Sequence, residues 1–155
     1  MATTGAEAVF VDTNILVHAN DEDSAFHEAA QQRLRDLDAA GHELWISRQV
    51  LREYAVVVSR KMNERNAFDA VALAADLDRL EAEYRVGDED ARITLTLKRL
   101  IQSHAVKGKP IHDANIVATM LVHRVGKLLT QNESDFARYV PAIEILPLRE
   151  SPASP

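Results

Sequence analysis

The sequence contains no cysteine, which excludes a disulfide scaffold, a zinc–thiolate site and a cysteine nucleophile. It also has no apolar run of the roughly 20 residues that a helix needs to cross a bilayer. Residues 1–8 lack a basic segment followed by an apolar one, so no secretory signal is predicted. We therefore expect a cytoplasmic protein that does not enter a membrane.

The sequence also has few positive charges: its 18 Lys and Arg are outnumbered by 24 Asp and Glu, and the formal net charge is −6. Proteins that bind nucleic acid non-specifically are usually basic, so an acidic chain that acted on nucleic acid would have to rely on a local basic patch and on metal ions. The length of 155 residues fits one domain, which we assign to residues 1–150. Residues 151–155, rich in serine and proline, are predicted to form a disordered tail.

Predicted strands and helices alternate along the chain, which favours an α/β fold with a mainly parallel sheet. The hydrophobic patterns predict strands at 9–11, 44–46, 128–130 and 143–146, the last at a sheet edge, with a weaker extended piece at 84–86. Helices are predicted at 24–40, from 47 to about 58, at 67–83, from a cap at Asp88 to about 101, and at 111–123. A short helix or turn is predicted at 133–139.

Polar side chains follow the predicted strands, where parallel sheets bind their ligands. The residues in question are Asp12 after the first strand, Glu53 on the helix after the second, Asp113 near the start of a late helix, and Thr130, Asn132 and Asp135 after the late strand. Taken singly, each has an ordinary structural role as a turn cap, a surface ion-pair partner or a helix-dipole partner. The functional interpretation therefore depends on the whole set.

As a set, these residues are typical of a magnesium site. Magnesium prefers oxygen ligands and is held by one or two carboxylates together with waters and substrate phosphates. Crowded carboxylates raise one another's pKa, and a divalent cation relieves that repulsion. Such a cation polarises a phosphodiester and lowers the pKa of an attacking water. Zinc fits poorly, because the chain has no cysteine and its six histidines include no His-x-x-x-His pair.

Four segments carry a resemblance to a known family: VFVDTNILVHA, SRQVLREY, IHDANIVATMLVHRVGKLLTQNESDF and EILPL. Together they resemble the PIN-domain family, specifically its VapC-like ribonuclease toxins from type II toxin–antitoxin systems. The resemblance extends from about Val9 to Leu148. The first two segments alone would be weak, whereas the order of all the motifs is specific.

This resemblance implies a three-layer α/β/α sandwich that cuts RNA with Mg²⁺, for which Mn²⁺ can substitute. It implies that Asp12 and Asp113 hold the metal and that Glu53 completes the acidic pocket, directly or through water. Asn14 and Thr130 match residues that support the site. Many members carry a fourth acid where this chain has Asn132, which leaves Asp135 as a substitute catalytic acid and leads us to expect a single metal.

The resemblance also implies partners. Arg48 and Arg52 are the best candidates for RNA binding, because phosphate neutralisation dominates such binding and both lie close in sequence to Glu53. A VapB-like antitoxin is expected to dock near residues 47–65 and to bring a basic residue to the metal site. A homodimer is expected as well.

Three alternative functions compete with this interpretation, and the sequence counts against the first two. A haloacid-dehalogenase-like phosphatase needs a second Asp two residues after the first, and this chain has Asn14 there. A response-regulator receiver needs an adjacent acid on the first loop and an acceptor Asp after a middle strand, and neither is present. A degenerate PIN scaffold that binds RNA or protein without cutting remains open.

Overall fold

The computed structural model describes residues 6–149, so the predicted tail lies outside the described residues. Within this range five strands form one sheet in the order β3-β2-β1-β4-β5, and every pairing is parallel. The strands are β1 (Ala8–Val11), β2 (Glu43–Ser47), β3 (Arg85–Gly87), β4 (Lys127–Thr130) and β5 (Glu144–Pro147). The prediction that the last strand lies at a sheet edge is confirmed.

The helices connect these strands as crossovers. They are α1 (Thr13–Asn20), α2 (His27–Ala39), α3 (Arg48–Glu64), α4 (Ala70–Glu83), α5 (Ala91–His104), α6 (Pro110–Val122) and α7 (Glu133–Phe136), which a 3-10 turn at Ala137–Tyr139 follows. Because crossovers are right-handed, α1–α4 cover one face of the sheet and α5–α7 cover the other. The predicted α/β/α sandwich is confirmed. No helix within residues 6–149 is long and apolar enough to span a membrane.

Burial on both faces explains why the central strands are continuously apolar. Val9, Phe10 and Val11 of β1 are fully buried, as expected for an inner strand of a covered parallel sheet. Helix α1 follows at once, and the sequence patterns do not predict it. It has only eight residues, and its three consecutive apolar residues Ile15, Leu16 and Val17 are all buried, so the sequence shows a short apolar run rather than a helical period.

Side-chain caps fix where the later helices begin. Ser47 accepts a hydrogen bond from the Val50 backbone N–H and caps α3, as the sequence predicts. Helix α4 begins after its cap Asp69 rather than at residue 67. Helix α5 is capped by Asp90 and not by Asp88, because residues 88–90 form a loop between β3 and the helix.

A buried carboxylate joins the end of α1 to α3. Asp21, the C-cap residue of α1, accepts hydrogen bonds from Lys61 Nζ at 2.8 Å and from Arg65 Nη2 at 3.2 Å. The hydrogen bond from Lys61 is the main reason why the pKa of Asp21 falls to about 2. The charged form of Asp21 is therefore the form that stabilises the fold.

We expect Asp21→Asn to lower the free energy of unfolding at pH 7 by about 2 kcal/mol, because charge-assisted hydrogen bonds are lost. The folded pKa, about 2, lies below the ordinary value of 3.8, so this stabilisation is complete above pH 3.8 and disappears as the pH falls through 2. Urea denaturation between pH 7 and pH 2.5 measures the difference, with the exposed Asp78→Asn as control. A difference that does not depend on pH would contradict this account.

Candidate active site

The candidate site lies where the chain connections change direction across the sheet. From β1 the chain moves outward to β2 and β3, then returns past β1 to β4 and β5, so the strand order reverses between β1 and β4. Open α/β sheets bind their ligands in the crevice outside the carboxyl ends of such strands. Asp12 directly follows β1, and Thr130 ends β4.

Several donors hold the Asp12 side chain, which is only 6% exposed. As the N-cap of α1 it accepts a 2.8 Å hydrogen bond from the Thr13 backbone N–H at Oδ1. Its Oδ2 accepts from Thr130 Oγ1 at 2.8 Å and from Asn14 Nδ2 at 3.3 Å. Burial raises the pKa of Asp12, and the hydrogen bond from Thr130 opposes that rise. The carboxylate is thus fixed in place across the crevice.

Glu53 of α3 is fixed by two donors, one on each carboxylate oxygen. Thr13 Oγ1 donates to Oε2 at 2.9 Å, and Gln49 Nε2 donates to Oε1 at 2.7 Å. Thr13 therefore holds both acids, since its backbone binds Asp12 and its hydroxyl binds Glu53. The charge of Glu53 adds to the rise in the pKa of Asp12.

Asp113 lies in the first turn of α6, which Pro110 begins, and its side chain faces the same crevice. Burial raises the pKa of Asp113 to about 6, with further contributions from the charges of Asp12, Asp135 and Glu53 in that order. The four acids named from the sequence therefore share one electrostatic environment.

A cleft of about 600 Å³ opens from the acids and runs between α1 and α3. Its lining side chains are Asp12, Thr13, Asn14, Val17 and His18 from the first strand–helix segment, Arg52, Glu53, Val56, Val57 and Lys61 from α3, and Asp113 and Asn132 beyond them. The cleft thus has an acidic end, an apolar wall and two cationic side chains. Asp135 does not line it; it is exposed, and its backbone N–H donates to the Asn132 carbonyl.

The two arginines named from the sequence differ in position. Arg52 lines the cleft, and its side chain is 64% exposed with one carboxylate partner, Glu89, at 3.2 Å. Arg48 does not line the cleft. Its guanidinium lies 2.7 Å from Glu81 and 3.1 Å from Asp88, because the start of α3 faces α4 and the loop after β3.

Three polar residues of the site are missing from the sequence-based set. Thr13 and Gln49 bind the acids directly, and both had a sequence signal: Thr13 adjoins Asp12, and Gln49 precedes Glu53 by four residues on one helix face. His18 follows Asn14 by four residues and also lines the cleft. Its Nε2 lies 2.6 Å from Gln131 Oε1 and its Nδ1 lies 2.7 Å from Ser24 Oγ.

Comparison with known proteins identifies the family. The PIN domain model matches residues 9–140, and the chain belongs to the PIN domain family. This membership removes the phosphatase and receiver alternatives. A search of curated proteins found no match.

Several solved structures share the fold. A chain of VapBC2 from Rickettsia felis, bound to a promoter DNA fragment, is 22% identical with a TM-score of 0.65 over 90% of this chain and 98% of that one. VapC20 of Mycobacterium tuberculosis, described as a sarcin–ricin loop cleaving toxin, is 23% identical with a TM-score of 0.64 over 88% and 98%. A chain of VapBC-1 from nontypeable Haemophilus influenzae is 15% identical with a TM-score of 0.65 over 92% and 99%. At these identities the likeness shows the fold alone.

The donor set at the crevice suits a hard divalent cation. Within residues 6–149, no three Asp, Glu or His side chains form a ready-made metal-binding group. Magnesium, however, needs only one or two carboxylates beside waters and phosphate oxygens. Asp12 and Asp113 meet that need. Burial is the main cause of the raised pKa of Asp113, and the neighbouring carboxylates add a repulsion that a cation would relieve.

The raised pKa of Asp113 predicts a stability cost in the metal-free protein. The folded value, about 6, exceeds the ordinary 3.8, so the stabilising contribution is complete below pH 3.8 and is lost as the pH rises through 6. In EDTA we therefore expect Asp113→Asn to melt about 3 °C above wild type at pH 7 and level with it at pH 4.

Differential scanning fluorimetry checks this expectation, with the exposed Asp78→Asn as the matched substitution outside the cleft. Added Mg²⁺ should raise the melting temperature of wild type and leave that of Asp113→Asn unchanged. An Asp113→Asn protein that melts below wild type at pH 7 without metal would refute the account.

Proposed function

We propose that this protein is a metal-dependent endoribonuclease that uses Mg²⁺, or Mn²⁺ in its place, to hydrolyse RNA phosphodiester bonds. The observation that carries the proposal is the gathering of Asp12, Glu53 and Asp113 around one cleft at the strand-order reversal, with the pKa of Asp113 raised to about 6. Membership of the PIN domain family supports it.

Asp12 and Asp113 would hold the metal, and Glu53 would complete the site directly or through a water. The metal, when bound, polarises the phosphodiester and lowers the pKa of the attacking water. Thr130 and Asn14 keep the Asp12 carboxylate in one orientation, so the acid does not have to reorganise when the substrate arrives. The hydroxyl of Thr13 does the same for Glu53.

Two residues are candidates for the fourth catalytic position. Asn132 lines the cleft but brings no charge, whereas Asp135 brings a charge that reaches Asp113 from outside the cleft lining. With three acids lining the cleft and the fourth outside that lining, we propose that one metal is held tightly.

RNA binding requires positive charge on a protein whose net charge is −6. Arg52 and Lys61 are the cationic side chains that line the cleft. Arg52 stands one residue before Glu53 and is largely exposed. We propose Arg52 as the main contact for a phosphate next to the scissile one. Arg48, the other arginine named from the sequence, is already paired with two carboxylates.

We further propose that the protein is the toxin of a toxin–antitoxin pair, with a VapB-like antitoxin as partner and a homodimer as its state. Its structural neighbours include VapBC complexes from R. felis and H. influenzae. The antitoxin segment would lie along the apolar cleft wall of Val17, Val56 and Val57. Val56 is half exposed, and Phe68 and Val71, which follow α3 in the chain, are exposed apolar side chains as well.

Purified protein, free of any partner, is expected to cut cellular RNA at discrete sites in Mg²⁺ and not in EDTA. Because Asp12 and Asp113 hold the metal in this account, Asp12→Asn and Asp113→Asn should each lower the cleavage rate at least about 100-fold, more than the loss of an outer-shell partner. Gel analysis of end-labelled fragments measures the rate.

Asp78→Asn, prepared in the same way, is the control for purification and for loss of one negative charge. Equal cleavage by all three variants would identify a contaminating nuclease. Folded wild-type protein that cuts no RNA class in Mg²⁺ or Mn²⁺ would favour the alternative of a PIN scaffold that binds without cutting.

The two arginines provide a matched test of the RNA contact. Arg52→Ala is expected to raise KM about tenfold with little change in kcat, and to reduce the salt dependence of KM by about one phosphate contact. Arg48→Ala should change neither quantity, because its charge is neutralised by Glu81 and Asp88. Steady-state cleavage of a short RNA at several salt concentrations measures both. An equal rise in KM for both variants would contradict the assignment.

A further inference from the structure

A buried glutamine links the two helices that carry Glu53 and Asp113. Gln49 of α3 is 5% exposed, although burial of an amide is costly unless each polar atom finds a partner. Its Nε2 donates to Glu53 Oε1 at 2.7 Å and to the His112 carbonyl at 2.9 Å. Its Oε1 accepts from Asn115 Nδ2 at 2.7 Å. Both Nε2 protons and the oxygen are therefore used.

The orientation of this amide follows from its partners. The His112 carbonyl and the Glu53 carboxylate only accept hydrogen bonds, so the nitrogen of Gln49 must face both of them. Asn115 then supplies the donor that the oxygen needs. A flipped amide would set its oxygen against two acceptors, so one rotamer is strongly favoured.

The bridge connects the acids through the backbone as well as through side chains. His112 directly precedes Asp113 in the first turn of α6, and Asn115 lies on the next turn of the same helix. Glu53 lies one turn after Gln49 on α3. A shift of α6 relative to α3 would therefore pull on the Glu53 carboxylate through Gln49.

We propose that Gln49 is a positioning residue that fixes the Glu53 carboxylate relative to Asp113 by bridging α3 and α6. Thr13 holds the other carboxylate oxygen, so loss of Gln49 leaves Glu53 pivoting about a single hydrogen bond. Removal of a side chain that hydrogen-bonds to a metal ligand typically lowers metal affinity 10- to 100-fold. The inference rests on the proposed function, because it assumes that Glu53 belongs to a metal site.

The test is a double-mutant cycle read by calorimetric titration with Mn²⁺, on wild type, Gln49→Met, Glu53→Gln and the double variant. Methionine keeps the length of the side chain and removes its hydrogen bonds. We expect Gln49→Met to weaken Mn²⁺ binding about tenfold, and to have no further effect when Glu53→Gln is present, because it acts through Glu53. Gln32→Met, the same change on an exposed face of α2, should leave Mn²⁺ binding unchanged.

Two further measurements separate positioning from a loss of folding. In the calorimetric titration, the positioning role predicts a raised Kd for Mn²⁺ with the same number of ions bound per chain, whereas partial unfolding would lower that number and leave the Kd of the folded molecules unchanged. Asn115→Ala keeps Gln49 and removes the donor that orients it, so it should weaken Mn²⁺ binding less than Gln49→Met and in the same Glu53-dependent way. If Gln49→Met does not fold, Asn115→Ala alone still tests the positioning role.

The outcomes distinguish the two proposals. If wild type binds Mn²⁺ and Gln49→Met binds it equally tightly, the positioning role is wrong and the proposed function stands. The same holds if Gln49→Met weakens binding by the same factor with and without Glu53→Gln. If folded wild type binds no Mn²⁺, the proposed function fails and the positioning role fails with it.

Discussion

The burial of several carboxylates beside one another, in the cleft at the carboxyl ends of β1 and β4, is the constraint on which the rest of the site depends. Asp12 is buried, Glu53 faces the same cleft, and their charges help to raise the pKa of Asp113. The neighbouring side chains stabilise these charges with neutral donors, the hydroxyls of Thr13 and Thr130 and the amides of Asn14 and Gln49. Neutral donors orient a carboxylate without cancelling its charge, so the net negative field is retained for a cation.

The sequence predicts most of the strands and helices and the acids that follow the strands, because both can be read from short segments of the chain. Apolar runs that end at polar residues mark inner strands, and parallel strands bring their carboxyl ends to one edge. Helix α1 escapes prediction because it has only eight residues and its buried apolar residues are consecutive, a pattern that a short buried strand also shows. The pairing of Arg48 and the bridge from Gln49 to α6 escape it because both require side chains 33 or more residues away in sequence.

The cleft brings two kinds of surface into one continuous groove. Its acidic end suits a cation and a phosphate, whereas the valines along its wall suit an apolar side chain or a nucleobase. A peptide that lay along the wall would therefore occupy space that RNA also needs. In the proposed toxin–antitoxin pair, inhibition then requires only occupancy of the groove, and no change in the shape of the acidic site.

Side-chain hydrogen bonds join α1 to α3 at both ends of the helix pair. Thr13 binds Glu53 at the acidic end, and Asp21 binds Lys61 near the other end of the same helix pair. The cleft walls are therefore held in register before any ligand arrives. A loosely held groove would lose conformational entropy when a ligand binds. In this protein that entropy is already lost when the chain folds. The entropy cost of ordering the groove therefore reduces ligand affinity less. A pair of substitutions that breaks both links between α1 and α3 should weaken binding, even where no atom that contacts the ligand is removed.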